Sequence, residues 1–328
     1  MTAGEAGARV AAMRDSYTSK DGRPGRPRRT YALGGQLMDA GSLAPGLHIV
    51  ATPIGNLGDI TLRALSTLAA ADLIACEDTR VTRKLLDRYA ISSPLTPYHD
   101  HNAATARPKL LARLAEGAAL ALVSDAGTPL ISDPGYKLVR AAQQAGHRVT
   151  ALPGASSALA ALTIAGLPTD QFLFAGFLPP KPAARRARIA ALGRIPATLI
   201  MFETGPRLAA TLADLAAELG DREAAICREL TKMHEEVRRG ALATLAQQSA
   251  TGEIRGEFVL VVAPPPAQQH GSGDDADTLL RLALARTSLK DAVGEVAVAT
   301  GLPRRALYQR ALELTKGKSR ESSDGAPR

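Results

Sequence analysis

Three short apolar runs in this chain each end in a turn of glycine, proline and hydroxyl side chains. Leu47 to Ala51 runs into Thr52-Pro53, then Gly55 and Gly58. Ala119 to Val123 runs into Ser124-Asp125-Ala126-Gly127-Thr128-Pro129. Val149 to Leu152 runs into Pro153-Gly154-Ala155-Ser156-Ser157. Glycines at a strand-to-helix turn let backbone approach a ligand and leave helix N–H groups free to bind it. Neither G-x-G-x-x-G nor a Gly-Lys-Ser/Thr loop is present, so this is not a common dinucleotide or Walker site. Ligands of open parallel sheets sit outside the carboxyl ends of the strands. Three such turns at one edge describe a binding crevice, although each alone is equally a tight connection. Asp125 can accept from an ammonium or hydroxyl group of a ligand, or bond its own turn.

Other polar groups suit acid–base or phosphate chemistry. Glu77-Asp78-Thr79-Arg80 follows an apolar strand. Glu77 or Asp78 can take a proton, while Arg80 and Lys84, one helical turn apart, can grip phosphate. Capping by Asp78 and a surface pair with Arg80 explain the same residues equally well. His99 and Asn102 form a second group, and Arg228-Glu229-Leu230-Thr231-Lys232 a third, where Glu229 and Lys232 can simply pair. His99-Asp100-His101 is the one histidine cluster. It has no evident third ligand, and Cys76 and Cys227 are far apart, so no metal is expected.

Alternating strands and helices must position these groups. Strands are predicted at 47–51, 72–75, 119–123 and 148–152, with helices at 60–70, 79–89, 103–116 and 135–145. That alternation predicts a mostly parallel α/β sheet. A second α/β unit is predicted with strands near 171–177, 197–202, 224–229 and 256–263, and helices near 181–193, 206–219 and 240–248. Residues 1–45 are expected to be a disordered basic extension, with an RNA-binding arm as the alternative. The units are bounded at 46–168 and 169–265, with a linker at 266–277. A helical module follows at 278–316, then a disordered tail at 317–328. In that module Ser288 caps a helix to Ala299, and Pro303 starts another, a pairing that resembles a helix-turn-helix. Arg304, Arg305 and Arg310 can touch phosphate there.

The chain has 328 residues, with 40 Lys and Arg against 32 Asp and Glu, a net charge of +8. That balance suits a polyanion such as RNA, or merely basic tails. Lys181, Arg185, Arg186, Arg188 and Arg194 occur with no acid between them, the best RNA-contact run. No apolar run reaches the roughly 18 residues that span a bilayer, and the N-terminus lacks a secretory apolar core. A reduced, cytoplasmic protein is expected.

The ordered motifs ATPIGNLGDIT, ACEDTR, SDAGTPLISDPGY, LPGASSALAALTIAGLP, GFLPPK and RELTKMHEE resemble the ribosomal RNA small subunit methyltransferase I family of the tetrapyrrole methylase superfamily. The resemblance runs from about Leu47 to Val262 and more weakly over Ser288 to Leu314. It implies a two-domain tetrapyrrole methylase-like fold with a cofactor cleft between the domains, and a homodimer. It implies methyl transfer from S-adenosylmethionine to a cytidine 2′-hydroxyl in the decoding region of 16S rRNA. It places the cofactor against Pro53, Gly55, Asp125, Gly127, Thr128, Pro129, Leu130, Ser156, Ser157, Met201 and Phe202. Ala225 is expected to add a wall, with Gly256-Glu257-Phe258 close by. The catalytic candidates are Glu77, Asp78, Arg80 and His99. The RNA candidates are Lys84, Asn102, Arg185, Arg186, Arg188, Arg228, Lys232, Arg304 and Arg305. Ala103 departs from the family pattern, which has an acid there. Two rival readings stand beside this one: a tetrapyrrole C-methyltransferase of the precorrin or siroheme pathway, and a non-catalytic RNA-binding protein.

Overall fold

Gly34-Gly35 folds the start of the chain back on itself. Thr30–Leu33 (β1) and Gln36–Asp39 (β2) pair antiparallel around these glycines, whose φ values are 59° and 82°. Positive φ at both central residues is the twist a two-residue hairpin needs, and glycine adopts it without a Cβ penalty. Tyr31 is buried, Ala32 N–H donates to Tyr89 O at 2.7 Å, and Arg29 pairs with Asp72. The disorder expected over 1–45 is therefore corrected from Arg29 onward. The computed structural model describes residues 29–132, 135–250, 255–266, 273–300 and 302–321. The rest of the N-terminal extension lies outside them. So do Gly301, part of the expected linker and the last seven residues of the tail, 322–328.

The first sheet is parallel throughout. Its strands are Gly46–Val50 (β3), Leu73–Cys76 (β4), Leu95–Pro97 (β5), Ala119–Leu122 (β6) and Val149–Leu152 (β7), in the order β5-β4-β6-β3-β7. β3 and β6 are buried at every position, as a parallel sheet covered on both faces requires. The covering helices are Leu62–Ala70 (α1), Thr79–Arg88 (α2), Ala103–Ala115 (α3) and Tyr136–Gln144 (α4), while Ser157–Ala165 (α5) packs instead on the second sheet. Thr61 Oγ1 accepts from Ala64 N–H at 3.1 Å and fixes the start of α1. α1 then buries Ala64, Leu65 and Leu68 against β3 and β6, a stripe at helical spacing.

The second sheet is mixed. Phe172–Phe177 (β8), Thr198–Thr204 (β9), Glu223–Arg228 (β10), Glu236–Ala241 (β11) and Glu257–Val262 (β12) lie in the order β11-β10-β12-β9-β8. Only β8 and β9 are parallel. A bulge between Phe174 and Gly176 adds one residue to β8. It returns Phe177 to the face of Phe174, and both rings meet Phe202 edge-on, at 5.6 and 4.8 Å. Pro182–Leu192 (α6), Gly205–Leu219 (α7) and Leu242–Gln248 (α8) pack on this sheet. β11 holds one large apolar residue, Val237, so it has no alternation to read. A charged edge strand resists pairing with other chains.

Contacts divide the chain at Ala263 and Pro264 into two compact units. The second unit contains Gly273–Leu284 (α9), Leu289–Thr300 (α10) and Arg304–Glu321 (α11). Leu280, Ala292, Val296, Leu307 and Ala311 form its core. α9 starts inside the segment expected as linker, and α11 continues into the expected tail, so both expectations are corrected there. Ser288 Oγ accepts from Asp291 N–H at 3.3 Å at the start of α10. Among the described residues no helix is long and apolar enough to cross a membrane.

Candidate active site

β6, β3 and β7 are neighbours and parallel, so their following turns meet at one sheet edge. Thr52 N–H donates to Gly127 O at 2.9 Å, and Gly127 N–H returns to Thr52 O at 3.1 Å. Thr52 Oγ1 donates to Ser124 O at 3.2 Å, Ser124 Oγ to Gly127 O at 3.2 Å, and Thr128 Oγ1 to Ala155 O at 3.1 Å. Hydroxyls of the first two motifs thus tie the three turns to each other. Gly127 has φ 83°, and a Cβ there would meet Ile54 Cγ2 at 3.1 Å. Leu130 and Ser132 also have positive φ, 73° and 64°. Such strain in non-glycine residues persists where surroundings over-determine the backbone, and it gathers at ligand clamps.

A cleft of about 240 Å³ opens beside these turns. Ile54, Ala126, Ile131, Ser132 and Ser157 line one side, and Phe177, Phe202, Cys227, Lys232, Glu257 and Val259 are among the residues on the other. Ser157 and Phe202 were expected there, as was the Glu257-Phe258 segment. Pro53, Gly55, Asp125, Gly127, Thr128, Pro129, Leu130 and Ser156 lie in the turns beside the cleft but not among the residues that line it. Two expectations are corrected. Met201 lies in the core with Leu178, Leu208 and Leu212, because strand alternation sends it to the face opposite Phe202. Ala225 is buried among Ile200 and Val261. Burial pushes the Cys227 thiol up to about 11, so it stays neutral.

The far wall carries charges that the sequence left unplaced. Glu203 is 2% exposed and accepts from Thr204 N–H at 2.8 Å and Thr211 Oγ1 at 2.6 Å. Arg207 Nε lies 3.3 Å from Glu203 Oε1, a close charge contact without hydrogen-bond alignment. Lys232 Nζ donates to Glu229 at 3.0 Å and Glu257 at 2.8 Å. Of the two readings of Lys232, the structure shows the pairing with Glu229, and it places the residue in the cleft lining. Burial alone would lower its pKa, but its bonds to Glu257 and Glu229 outweigh this and raise it.

The turns after β4 and β5 hold the catalytic candidates. Asp78 caps α2, accepting from Arg80 N–H at 2.8 Å, and its carboxylate also pairs with the Arg80 guanidinium at 2.7 Å. The Arg80 hydrogen bonds hold Asp78 down at about 2. Asp125 Oδ1 accepts from Asp78 N–H at 2.9 Å, so its bond crosses to a second loop instead of closing its own turn. Burial raises the Glu77 pKa, and the nearby charges of Asp125, Asp100 and Asp78 add to the rise while His99 opposes it. His99 Nδ1 is buried with no hydrogen-bond partner among the described residues. Asn102 is corrected. Its Oδ1 accepts from His99 N–H at 2.9 Å and its Nδ2 donates to Pro97 O at 3.0 Å, so its amide is spent on the turn.

The basic candidates separate by burial. Arg185 is 6% exposed and pairs with Asp214 at 2.7 Å, so it is a core residue, against expectation. Arg186, Arg188 and Lys84 are exposed. Arg228 Nε donates to Arg255 O at 3.1 Å, and its guanidinium lies 3.6 Å from Glu236. In the helical unit Arg304 and Arg305 are exposed, but Arg310 is bound to Asp277 and Glu313.

Known proteins share this arrangement. The family model for Tetrapyrrole (Corrin/Porphyrin) Methylases matches residues 46–246. The fold and cleft are thus those of a tetrapyrrole methylase. The RsmI C-terminal HTH domain matches residues 270–315. The chain is 54% identical over 285 residues to the ribosomal RNA small subunit methyltransferase I of Mesorhizobium japonicum, covering 86% of this chain and 96% of that one. Its namesake from Escherichia coli O157:H7 is 47% identical over 270 residues, covering 81% and 94%. The solved methyltransferase CobJ shares the fold at TM-score 0.51 and 19% identity, over 70% of this chain and 98% of that one. The chain belongs to the ribosomal RNA small subunit methyltransferase I family. It is an enzyme that methylates ribosomal RNA, and S-adenosylmethionine is its methyl donor. The C-methyltransferase and non-catalytic readings give way to this one.

Proposed function

We propose that this chain, acting as a cytoplasmic homodimer on the small ribosomal subunit, methylates the 2′-hydroxyl of a cytidine in the decoding region of 16S rRNA. The donor occupies the cleft between the two α/β halves. The observation that carries this is the convergence of three mutually bonded turns on one wall of a cleft whose other wall comes from the second sheet. The residues fit S-adenosylmethionine. Ile54, Phe202 and Val259 offer apolar surface, Ser157 offers a hydroxyl and Ala126 backbone groups, and the turn from Asp125 to Leu130 that carries Ala126 holds a carboxylate and further backbone groups beside them. The strained Leu130 and Ser132 hold this surface in shape before the donor arrives.

Bound there, the donor supplies an already activated methyl group. The chain must align it with a hydroxyl and accept one proton. Asp78 is unsuited to accept it, because Arg80 holds the carboxylate ionised and weakly basic. Glu77, made more basic by burial beside Asp125, takes the proton, and His99 lies on the same side as the second candidate. Arg80, Lys84, Arg186 and Arg188 present exposed cations to the RNA backbone.

The test is a calorimetric titration with S-adenosylmethionine, followed by mass mapping of 16S rRNA from a strain lacking the gene, with naked rRNA and small subunits as substrates. Donor binding with one restored cytidine 2′-O-methyl is expected. Methyl transfer to a base, or to another nucleotide, would overturn the proposal.

A further inference from the structure

The loop Glu229–Lys232 enters the left-handed region twice, at Glu229 (φ 47°) and Thr231 (φ 65°), and neither is glycine. A backbone of that kind needs bonds that hold it. Glu229 N–H donates to Glu257 O at 3.0 Å, Glu257 N–H donates to Glu229 Oε1 at 2.8 Å, and Thr231 N–H donates to Glu235 Oε2 at 2.6 Å. Lys232 joins the carboxylates of Glu229 and Glu257. The same loop reaches the other half of the site. Thr231 Oγ1 accepts from Asn56 N–H at 3.1 Å. Gly55 lies so close that a Cβ there would stand 2.4 Å from Lys232 Cγ and 3.1 Å from Leu230 O. Leu230, Lys232 and Glu257 line the cleft that Ile54 lines from the opposite side.

We infer that Lys232 and Thr231 are positioning residues that clamp the Pro53–Asn56 turn to the second sheet, so that both walls of the donor cleft are held together before the donor binds. Lys232 neutralises two carboxylates and keeps the loop in its strained form. Thr231 passes that geometry to the Asn56 backbone. Pre-organisation of this kind strengthens binding by removing ordering costs. The inference rests on the reading of this cleft as the donor site.

Wild type, Lys232→Met, Lys232→Arg and Thr231→Val are each titrated with S-adenosylmethionine in a calorimeter. Their melting and the hydrogen exchange of the Asn56 amide are followed alongside. Lys232→Met and Thr231→Val should weaken donor binding about tenfold, the worth of one charged or well-placed hydrogen bond. Both should speed Asn56 exchange, and Lys232→Arg should restore binding and protection. Thr231→Val leaves the ion pairs intact, so it reports even if Lys232→Met fails to fold. If the variants bind the donor like wild type, or if Asn56 exchange is unchanged, the clamp is overturned. If wild type itself binds no donor, the cleft reading falls as well.

Discussion

Asp125 Oδ1 accepts a hydrogen bond from Asp78 N–H at 2.9 Å, joining the turn after β6 to the turn after β4. One carboxylate thus borders the donor turns and also supports the loop that carries Glu77. Its two functions separate by substitution. Asp125→Ala leaves the Asp78 amide without its acceptor and should weaken donor binding by about 1–3 kcal/mol. Asp125→Asn keeps an acceptor oxygen but removes the charge. Because that charge raises Glu77, the pH midpoint of the single-turnover rate should move down in Asp125→Asn. A midpoint that stays put would show that Glu77 does not govern the step.

Glu77→Gln should lower single-turnover methylation by about 10²–10⁴, as removal of a general base does, with donor affinity retained. It should also change stability against pH. The folded chain holds the Glu77 proton more tightly than the unfolded chain does. Glu77's contribution is therefore complete below the ordinary value of 4.5 and is lost as pH rises through the raised value. Urea denaturation of wild type across that window should show this loss, and Glu77→Gln should not.

The basic helix α6 should divide by burial. Arg185→Ala strands Asp214 in the protein and should cost about 3–5 kcal/mol of stability. Arg186→Ala and Arg188→Ala should melt like wild type. They should weaken RNA binding and flatten its salt dependence by about 0.7–0.9 for each phosphate that is no longer neutralised. Thermal melting and RNA binding at several salt concentrations give both numbers for each variant.

Gly55→Ala should push the new methyl into Lys232 and Leu230. Overpacking of this sort costs about 1–3 kcal/mol, and here it should appear as weaker donor binding in calorimetry. Gly34→Ala, in the hairpin turn, has open space around its Cβ and strains only a positive φ. It should leave donor affinity unchanged.

Four strands of the parallel sheet and its three turns were legible because their signals are local, whereas Leu95–Pro97, three residues long and ending in proline, read as loop. An apolar run, a glycine and a capping hydroxyl sit next to each other in the chain, and each has one structural meaning. The hairpin at Gly34-Gly35 carried a local signal too, masked by the surrounding basic and small residues. β11 carried none. Glu236-Val237-Arg238-Arg239 reads as loop until β10 lies beside it, and α9 begins where polar residues suggested a linker.

By itself, then, the sequence determined the fold class, the alternation of the main strands and helices, the three-turn edge and the family, since these rest on neighbours in the chain and on long ordered motifs. Tertiary structure alone decided which side chains face the cleft. Arg185 and Arg186 are adjacent and chemically identical, yet one is buried on Asp214 and the other is exposed. Met201 and Phe202 are adjacent and both apolar, yet one fills the core and the other the cleft. Lys232 meets Gly55 across more than 170 residues of chain. Pairings between residues so far apart are fixed only when packing brings two sheets together, and no local pattern encodes them.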